Sequence, residues 1–210
     1  MIIAIDGPAA AGKGTLARRL AAHFDYAFLD TGRLYRAVGY LVLDAGDDPA
    51  NEADAVAAAR ALDPAALEGV DLHTETVADA ASKVAAIPAV RQVLLNFPRD
   101  FAANPPGGKA GAVLDGRDIG SVVCPDADVK LFVTARPEIR AERRHKELQE
   151  KGLESTYPAV LAEIEARDER DRTRDVSPLL AGDSREIDTS DKTPDAVFEE
   201  VRALVADRTA

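Results

Sequence analysis

The sequence GPAAAGKGT, residues 7–15, decides the fold because of what stands on either side of it. It follows an apolar run at residues 2–5, which predicts a buried strand over 2–6, and it opens a segment with helical periodicity at 13–24. Two glycines five positions apart and then a lysine, between a strand and a helix, are typical of a phosphate-binding loop. Backbone N–H groups, the helix N-terminus and Lys13 would face the anion together. The predicted triphosphate-binding residues are Gly7, Pro8, Ala9, Ala10, Ala11, Gly12, Lys13, Gly14 and Thr15.

The hydroxyl residue of this loop stands one position later than in the common phosphate-binding loop. Gly14 stands where the common pattern has Ser or Thr as a Mg²⁺ ligand, and Thr15 follows it. We expect Thr15 to contact the α-phosphate. Mg²⁺, brought in as Mg-ATP, would then be held by phosphate oxygens and waters with no direct protein ligand. Such a loop suggests a second substrate that also contributes to handling charge.

Composition narrows the class of protein. The 210 residues suffice for one domain, and a net charge of −11 makes a nucleic acid an unfavourable partner. Cys124 is alone, so no internal disulfide forms, and it is interpreted as a small buried or half-buried side chain. The start MIIAIDG lacks a basic leader, and no apolar stretch reaches membrane-spanning length. A cytoplasmic protein without a membrane partner is therefore expected.

Short apolar runs alternate with longer helical patterns along the chain. Further strands are predicted at 27–30, 113–115, 129–133 and 185–188, and helices at 33–43 and 194–206. This alternation predicts an α/β fold with a parallel sheet covered on both faces. The alanine-rich stretch between the second and third strands is too long for a simple crossover and predicts an inserted, mostly helical lobe.

Arginines follow the predicted strands and suggest a second anion site. In an α/β sheet, residues just past the carboxyl ends of strands line the ligand crevice. Segment 136–174 holds 10 Lys/Arg and 10 Asp/Glu, so it is locally neutral in an acidic chain. Taken alone, its end at 167–174 also fits a solvated helix face with weak ion pairs, and Asp115–Gly116 also fits an ordinary turn. The candidates are Thr31 (as a helix cap), Tyr35, Arg36, Arg117, Asp118 and, on one helix face, Arg167, Arg170, Asp171 and Arg174.

The chain resembles the bacterial cytidylate kinase family, the (d)CMP kinases of the nucleoside monophosphate kinase group. Two segments, LDGRDIGSVVCPDADVKLFVTA and DAASKVAAIPAVRQVLL, are the most specific to that family. The others are IDGPAAAGKGT, LDTGRLYR, ERRHKELQEKG and RDERDRTRDVSPL, and the six cover most of the chain in family order.

The resemblance implies a fold and an activity. The fold is a P-loop NTPase-type parallel sheet flanked by helices, with a helical monophosphate-binding lobe and a small lid. One kinase domain would span 1–210, with its core at 1–30, 111–136 and 159–210, the lobe at about 31–110 and the lid at about 137–158. The activity is transfer of the γ-phosphoryl group of ATP to CMP or dCMP by a monomeric enzyme.

The resemblance also assigns roles to residues. Lys13, Arg117 and Arg174 would act in catalysis, and Arg143 and Arg144 would close the lid over the phosphates. Arg36 and Arg117 would grip the acceptor phosphate, with Thr31 and Tyr35 nearby. Ser82, Arg91 and Asp118 would read the cytosine, Arg167 and Asp171 would meet the sugar, and Arg174 would meet the base or the phosphate.

One departure from the family concerns the lobe. Many relatives carry a β-rich insert where this chain has only LDPAALEGVDLHTE, residues 62–75. A trimmed lobe could change how completely the lobe closes over the nucleotide and how it discriminates between ribose and deoxyribose. The preference between CMP and dCMP therefore stays open. Two other functions also stay open: a kinase for another small acceptor, and a nucleotide-dependent switch that does little chemistry.

Overall fold

A parallel sheet forms the centre of the computed structural model, which describes residues 1–63 and 69–209. Within these residues it has five strands in the order β2-β3-β1-β4-β5, with β1 in the middle. Ile3 pairs with Val113 on one side and with Val129 on the other. The predicted α/β fold with a parallel sheet is confirmed. The strands are β1 (Ile2–Asp6), β2 (Ala27–Asp30), β3 (Ala112–Asp115), β4 (Val129–Thr134) and β5 (Arg185–Asp188).

Helices cover both faces of the sheet. One face packs against α1 and α9 through a cluster that includes Leu20 and Val201. On the other face a smaller cluster joins Leu114 to Ile119 and Cys124, which confirms that the cysteine is buried. The helices are α1 (Lys13–Phe24), α2 (Thr31–Asp44), α3 (Glu52–Ala61), α4 (Glu75–Val84), α5 (Pro88–Leu94), α6 (Asn96–Ala103), α7 (Pro137–Glu150), α8 (Tyr157–Thr173) and α9 (Pro194–Thr209).

Helices α2 to α6 form the inserted segment between β2 and β3; α2 to α5 build apolar clusters of their own, whereas α6 packs on the sheet. α2 packs closely on α4 because Gly39 has no side chain: a Cβ there would lie 2.8 Å from the backbone nitrogen of Ala81. Helices α7 and α8 share another cluster, built on Ala141 and Ile164, which the methyl group of Ala10 joins from the phosphate loop. The trimmed stretch at 62–75 is only partly within the described residues, since 64–68 lie outside them. The division into core, lobe and lid remains a prediction.

The start of α2 differs from the prediction. The helix begins at Thr31, two residues earlier than predicted, and no side chain caps it. Because Thr31 is already helical, its hydroxyl points to the neighbouring strand and donates to the carbonyl oxygen of Asp115 at 2.8 Å. The prediction that Thr31 caps this helix is therefore wrong: the residue ties α2 to the end of β3.

Candidate active site

A cleft of about 650 Å³ opens at the carboxyl ends of β1, β2 and β3, the edge that positions ligands in sheets of this kind. The phosphate loop forms one wall through Ala9, Ala10 and Lys13. Side chains from α2, α4 and α8 form the other walls, and α7 contributes Arg144. The predicted donor loop and the predicted second anion site therefore face the same space.

The phosphate loop is held open by glycine geometry. Gly7 has a φ of 144°, and a Cβ on it would lie 1.9 Å from the carbonyl oxygen of Val133, so only glycine fits. Gly12, with a φ of 92°, leads into α1. The helix starts at Lys13, so its free N–H groups and its positive dipole end lie at the loop.

Lys13 is buried in the loop, with 6% of its surface exposed. Its Nζ donates to the carbonyl oxygen of Pro8 at 2.7 Å. Burial and the positive charge of Arg117 lower the pKa of Lys13 to about 7, against the attraction of Asp115. A bound polyphosphate would favour the charged ammonium and so raise this pKa.

Asp115 ends β3 beside the phosphate loop and lines the cleft, and no site role was predicted for it. Burial raises the pKa of its carboxyl group, and Lys13 opposes that effect. A Cβ on Gly14 would lie 3.2 Å from Asp115 Oδ2, so the carboxylate occupies the space beside the missing Ser or Thr side chain. The signal in the sequence was an acid at the very end of a buried strand.

Arginines gather on the opposite wall around Asp171. Arg117 Nε donates to Asp171 Oδ2 at 3.1 Å, and Arg174 Nη1 lies 3.7 Å from Asp171 Oδ1. Although burial acts to raise it, the three arginines Arg117, Arg167 and Arg174 hold the pKa of Asp171 below its ordinary value. Burial and the charge of Arg117 lower the pKa of Arg167 to about 10. These residues form a half-buried, positively charged wall, whereas Arg170, predicted on the same helix face, is exposed.

A second buried ion pair lies between α5 and the segment after β3. Arg91 Nη2 donates to Asp118 Oδ2 at 2.5 Å, and each side chain is 8% exposed. Arg91 is further fixed by the carbonyl oxygen of Ala85 at 3.0 Å, and its guanidinium lies 5.3 Å from the centre of the Tyr35 ring. The pair presents a fork of N–H donors beside a carboxylate acceptor.

Several polar atoms in the cleft are buried without a partner. Within the described residues, these atoms are Arg36 Nε, Ser82 Oγ, Arg167 Nε and Arg174 Nη2. All four residues line the cleft. Because an unpaired buried polar group is costly, their collection in one place indicates a site for a polar ligand.

The two predicted lid arginines point in different directions. Arg144 lines the cleft, where it bonds Glu75 at the start of α4 and lies 2.9 Å from Glu147 on its own helix. Arg143 instead donates to the hydroxyl and the carbonyl oxygen of Thr189, just after β5. The Thr189 hydroxyl in turn donates to the carbonyl oxygen of Ala11, so Arg143 is tied to the outer side of the phosphate loop.

The predicted acceptor residues all line the same cleft. They come from α2, α4, α5, α8 and the segment after β3. They are Thr31, Tyr35, Arg36, Ser82, Arg91, Arg117, Asp118, Arg167, Asp171 and Arg174. The lining also includes Asp30, which was not singled out and which bonds Arg36 at 2.5 Å. Among residues 1–63 and 69–209, no group of three or more His, Cys, Asp and Glu side chains is placed to hold a metal ion.

Comparison with known proteins assigns the family. A family model described as cytidylate kinase matches residues 3–207. The chain belongs to the cytidylate kinase family. A cytidylate kinase of Paramagnetospirillum magneticum is 60% identical over 99% of this chain and 98% of its own length. One of Granulibacter bethesdensis is 56% identical over 98% and 96%. The chain is therefore a transferase, a kinase that phosphorylates a nucleotide with ATP.

Solved structures of low sequence identity share the fold. A shikimate kinase of Bacteroides thetaiotaomicron has a TM-score of 0.52 at 11% identity, covering 98% of both chains. An uncharacterized protein of Eubacterium ventriosum has a TM-score of 0.57 at 14% identity, also covering 98% of both. In the part of the chain that the structure describes, no helix is both long and apolar enough to cross a membrane.

Proposed function

We propose that this kinase transfers the γ-phosphoryl group of Mg-ATP to CMP or dCMP by direct in-line transfer, giving CDP or dCDP and ADP. The observation that carries the proposal is the set of buried, unpaired polar atoms that share one cleft with Lys13. The names of the relatives supply the acceptor, and the chemistry of the cleft supports it.

The arginine wall suits the acceptor's phosphate. Arg36 and Arg117 line the cleft opposite the loop together with Arg167, which we now assign to the phosphate and not to the sugar, and guanidinium forks bind phosphate oxygens in pairs while keeping their charge. Arg36 Nε and Arg167 Nε have no partner in the free chain. A phosphate dianion would give them one, and it would also relieve the repulsion between Arg117 and Arg167 that helps lower the pKa of Arg167.

Cytosine suits the Arg91–Asp118 pair. The base offers a carbonyl oxygen and a ring nitrogen as acceptors and an exocyclic amine as a donor, which complement an arginine and a carboxylate. The unpaired Ser82 hydroxyl adds one more donor or acceptor in the cleft. Uracil would present an oxygen to Asp118 and leave a buried carboxylate unmatched, which disfavours UMP.

Asp171 and Arg174 offer the remaining contacts to the nucleotide. Asp171 accepts from Arg117 and has its charge stabilised by the surrounding arginines, so it stays an acceptor for a sugar hydroxyl. Arg174 Nε donates to the carbonyl oxygen of Ser177 at 2.5 Å and Nη1 pairs with Asp171, whereas Nη2 is unpaired and would be left for the nucleotide.

Catalysis would come from position and charge. Lys13 and the loop N–H groups would neutralise the transferred phosphoryl group from one side, while Arg117 and Arg174 would hold the acceptor oxygen in line from the other. No general base is needed, because the nucleophile is already a phosphate oxygen. A buried carboxylate beside the loop is an acceptor that suits the waters of Mg²⁺, so Asp115 would hold the ion through them, and the ion would supply charge neutralisation between the phosphates.

The rest of the proposal concerns the enzyme as a whole. We propose one kinase domain with its core, monophosphate-binding lobe and lid at the bounds predicted above, a monomeric state and a cytoplasmic location. The two clusters that α2 to α5 build among themselves support a lobe with its own packing.

An ADP-release assay over CMP, dCMP, UMP, AMP and GMP tests the acceptor. Turnover of CMP and dCMP is expected to exceed that of the other three by about tenfold or more in kcat/KM. Faster turnover of UMP or AMP than of CMP would refute the proposed acceptor. Slow hydrolysis of ATP that no monophosphate stimulates would instead favour a nucleotide-dependent switch.

A further inference from the structure

Asp6 belongs to neither proposed substrate set, yet it holds the segment that carries Asp118. It ends β1 and is 3% exposed. Asp6 Oδ1 accepts from the backbone N–H of Ile119 at 2.8 Å, and Oδ2 accepts from that of Gly120, also at 2.8 Å. Both oxygens of one buried carboxylate therefore bind two consecutive N–H groups across 113 and 114 positions of sequence.

Those two N–H groups begin the turn that follows Asp118. Residues Ile119–Val123 form a single π-helical turn, a rare conformation that recurs at functional sites. The carbonyl oxygen of Asp118 accepts from Val122 at 2.9 Å and from Val123 at 3.1 Å. The Asp118 backbone is thus fixed by the turn, and Asp6 fixes the first residues of that turn.

The contact is tight on the side of the turn as well. A Cβ added to Gly120 would lie 3.4 Å from Asp6 Oδ2 and 3.3 Å from Lys130 Cγ. Gly7, the first residue of the phosphate loop, follows Asp6 directly. Asp6 therefore links two parts of the site: its backbone continues into the donor loop, and its side chain holds the turn that follows Asp118.

We propose that Asp6 is a positioning residue for acceptor specificity: by binding the N–H groups of Ile119 and Gly120, its carboxylate sets the direction in which Asp118 meets the acceptor's base. This inference rests on the proposed function, because it needs Asp118 to read the base. Burial, with a smaller effect from the negative charge of Asp118, raises the pKa of Asp6 to about 6, against the two N–H bonds and the charge of Lys13. An acid is thus retained where burial disfavours its charge.

An amide cannot replace this carboxylate. In Asp6→Asn one oxygen still accepts a hydrogen bond, but the NH₂ group faces a backbone N–H, so one of the two bonds is lost and the turn shifts. Gly120→Ala crowds the same contact with Asp6 in place, since its methyl group would touch Asp6 Oδ2 at 3.4 Å and Lys130 Cγ at 3.3 Å, so its effect is smaller. Asp128→Asn is the matched control: Asp128 Oδ2 accepts from the N–H of Ile2 at 2.7 Å, at the opposite end of β1.

The experiment measures kcat and KM of the full chain and its three variants with CMP, UMP and ATP, with circular dichroism to establish the folded fraction. In Asp6→Asn, KM for CMP is expected to rise about tenfold and the preference for CMP over UMP to fall about tenfold; in Gly120→Ala both should change in the same direction, by about threefold. KM for ATP and kcat at saturating CMP are expected to change less than about threefold, because neither variant alters a substrate-binding side chain. Asp128→Asn should keep the preference whatever its melting temperature.

Two results would overturn the inference, and they are distinguishable. If the unaltered chain prefers CMP and both folded variants at residues 6 and 120 keep that preference, Asp6 is a structural residue only. If the unaltered chain does not prefer CMP over UMP, the proposed acceptor is wrong and the role of Asp6 is wrong with it. Should Asp6→Asn not fold, Gly120→Ala decides between these results.

Discussion

The proposed donor loop would take its anion-binding groups from nine consecutive residues, whereas the proposed acceptor side of the cleft draws side chains from α2, α4, α5, α8 and the segment after β3. The donor groups are mostly backbone N–H groups at the start of α1, placed by the geometry of Gly7 and Gly12. The acceptor groups are long side chains held by one another, as in the contacts of Asp171 with Arg117 and Arg174.

The two sides also differ in how complete they are without ligand. Lys13 Nζ, on the donor side, has a partner in the carbonyl oxygen of Pro8. On the acceptor side, Arg36, Ser82, Arg167 and Arg174 each have a buried polar atom with none. The donor loop is thus preformed by the backbone, while the proposed acceptor side keeps polar atoms that the proposed nucleotide would pair.

The largest expected effect is on the donor side, at Lys13. In Lys13→Met the side chain keeps its length and loses its charge, so the transferred phosphoryl group loses a full positive charge. We expect kcat to fall about 10³-fold, or about 4 kcal/mol, with the affinity for CMP alone nearly unchanged. Steady-state kinetics and titration with CMP in the absence of ATP measure the two quantities.

Arg19→Met is the control for this change, since Arg19 lies on the same helix and pairs with Asp195 at the surface, at 2.8 Å. Its kcat should stay within about twofold of the unaltered enzyme, because exposed ion pairs contribute little. A comparable loss of kcat in both variants would mean that the charge of α1, and not the position of Lys13, matters.

On the acceptor side, Arg117→Lys keeps the charge and removes the fork. The Nε bond to Asp171 is lost, and a phosphate can no longer be bound by two parallel N–H groups. We expect KM for CMP to rise about a hundredfold, or about 3 kcal/mol, and KM for ATP to change less than threefold. Arg172→Lys, an exposed arginine on α8, should leave both constants unchanged. An equal rise in both KM values would show that the two sides are not separate.

The two sides should also respond differently to pH. Since the pKa of Lys13 is lowered to about 7 in the free chain, its side chain is mostly an uncharged amine at pH 8. Bound phosphates would favour the charged form and restore its proton. Binding of a non-hydrolysable Mg-ATP analogue should therefore weaken about fivefold from pH 7 to pH 8 and take up nearly one proton at pH 8. The arginines stay charged at pH 8, so CMP should bind there without taking up a proton.

Calorimetric titrations in two buffers of different ionisation enthalpy measure these protons directly. An analogue affinity that is flat or rising between pH 7 and pH 8 would contradict the lowered pKa of Lys13. Proton uptake on binding of CMP would contradict the assignment of permanently charged groups to the acceptor side.

The same contrast explains what the sequence predicts and what it does not. The donor loop and the helix at 13–24 follow from local rules, because glycine spacing and an apolar stripe are read within a few turns of chain. The acceptor residues Ser82 and Arg91 came from the resemblance to a family, since nothing local marks them. Arg91 meets Asp118 only through the packing of α5 against the segment after β3.

Long-range contacts and close approaches also lie outside local rules. The bonds of Asp6 to Ile119 and Gly120 join residues more than a hundred positions apart. From the sequence, Gly39 is only a residue of low helix propensity. The structure shows that α4, which carries Ser82, packs directly against its Cα. Thr31 was misassigned for a related reason: its hydroxyl bonds the carbonyl oxygen at the end of β3 and not its own helix.

The smallest expected effect separates ligand-binding from structural hydroxyls. Ser82 and Ser190 are 6% and 8% exposed, respectively, but Ser82 Oγ has no partner, whereas Ser190 Oγ donates to Asp188 at 2.6 Å and accepts from the N–H of Arg136 at 2.9 Å. Ser82→Ala removes an unpaired buried group, so the free energy of unfolding should rise by up to about 1 kcal/mol while KM for CMP rises about fivefold.

Ser190→Ala should do the reverse, because it leaves the backbone N–H of Arg136 without its partner, while Asp188 keeps the N–H of Ser190: the free energy of unfolding falls by about 1 kcal/mol and KM for CMP stays within twofold. Urea unfolding and steady-state kinetics on both variants give the four values. A Ser82→Ala enzyme that is less stable and binds CMP normally would show that the hydroxyl serves the fold, and the acceptor side would then be as preformed as the donor loop. A hydroxyl that serves the ligand lowers the stability of the free chain, because it is buried without a partner, and raises the affinity for CMP, because its bond forms only in the complex. Ser82→Ala should therefore raise stability and lower affinity together.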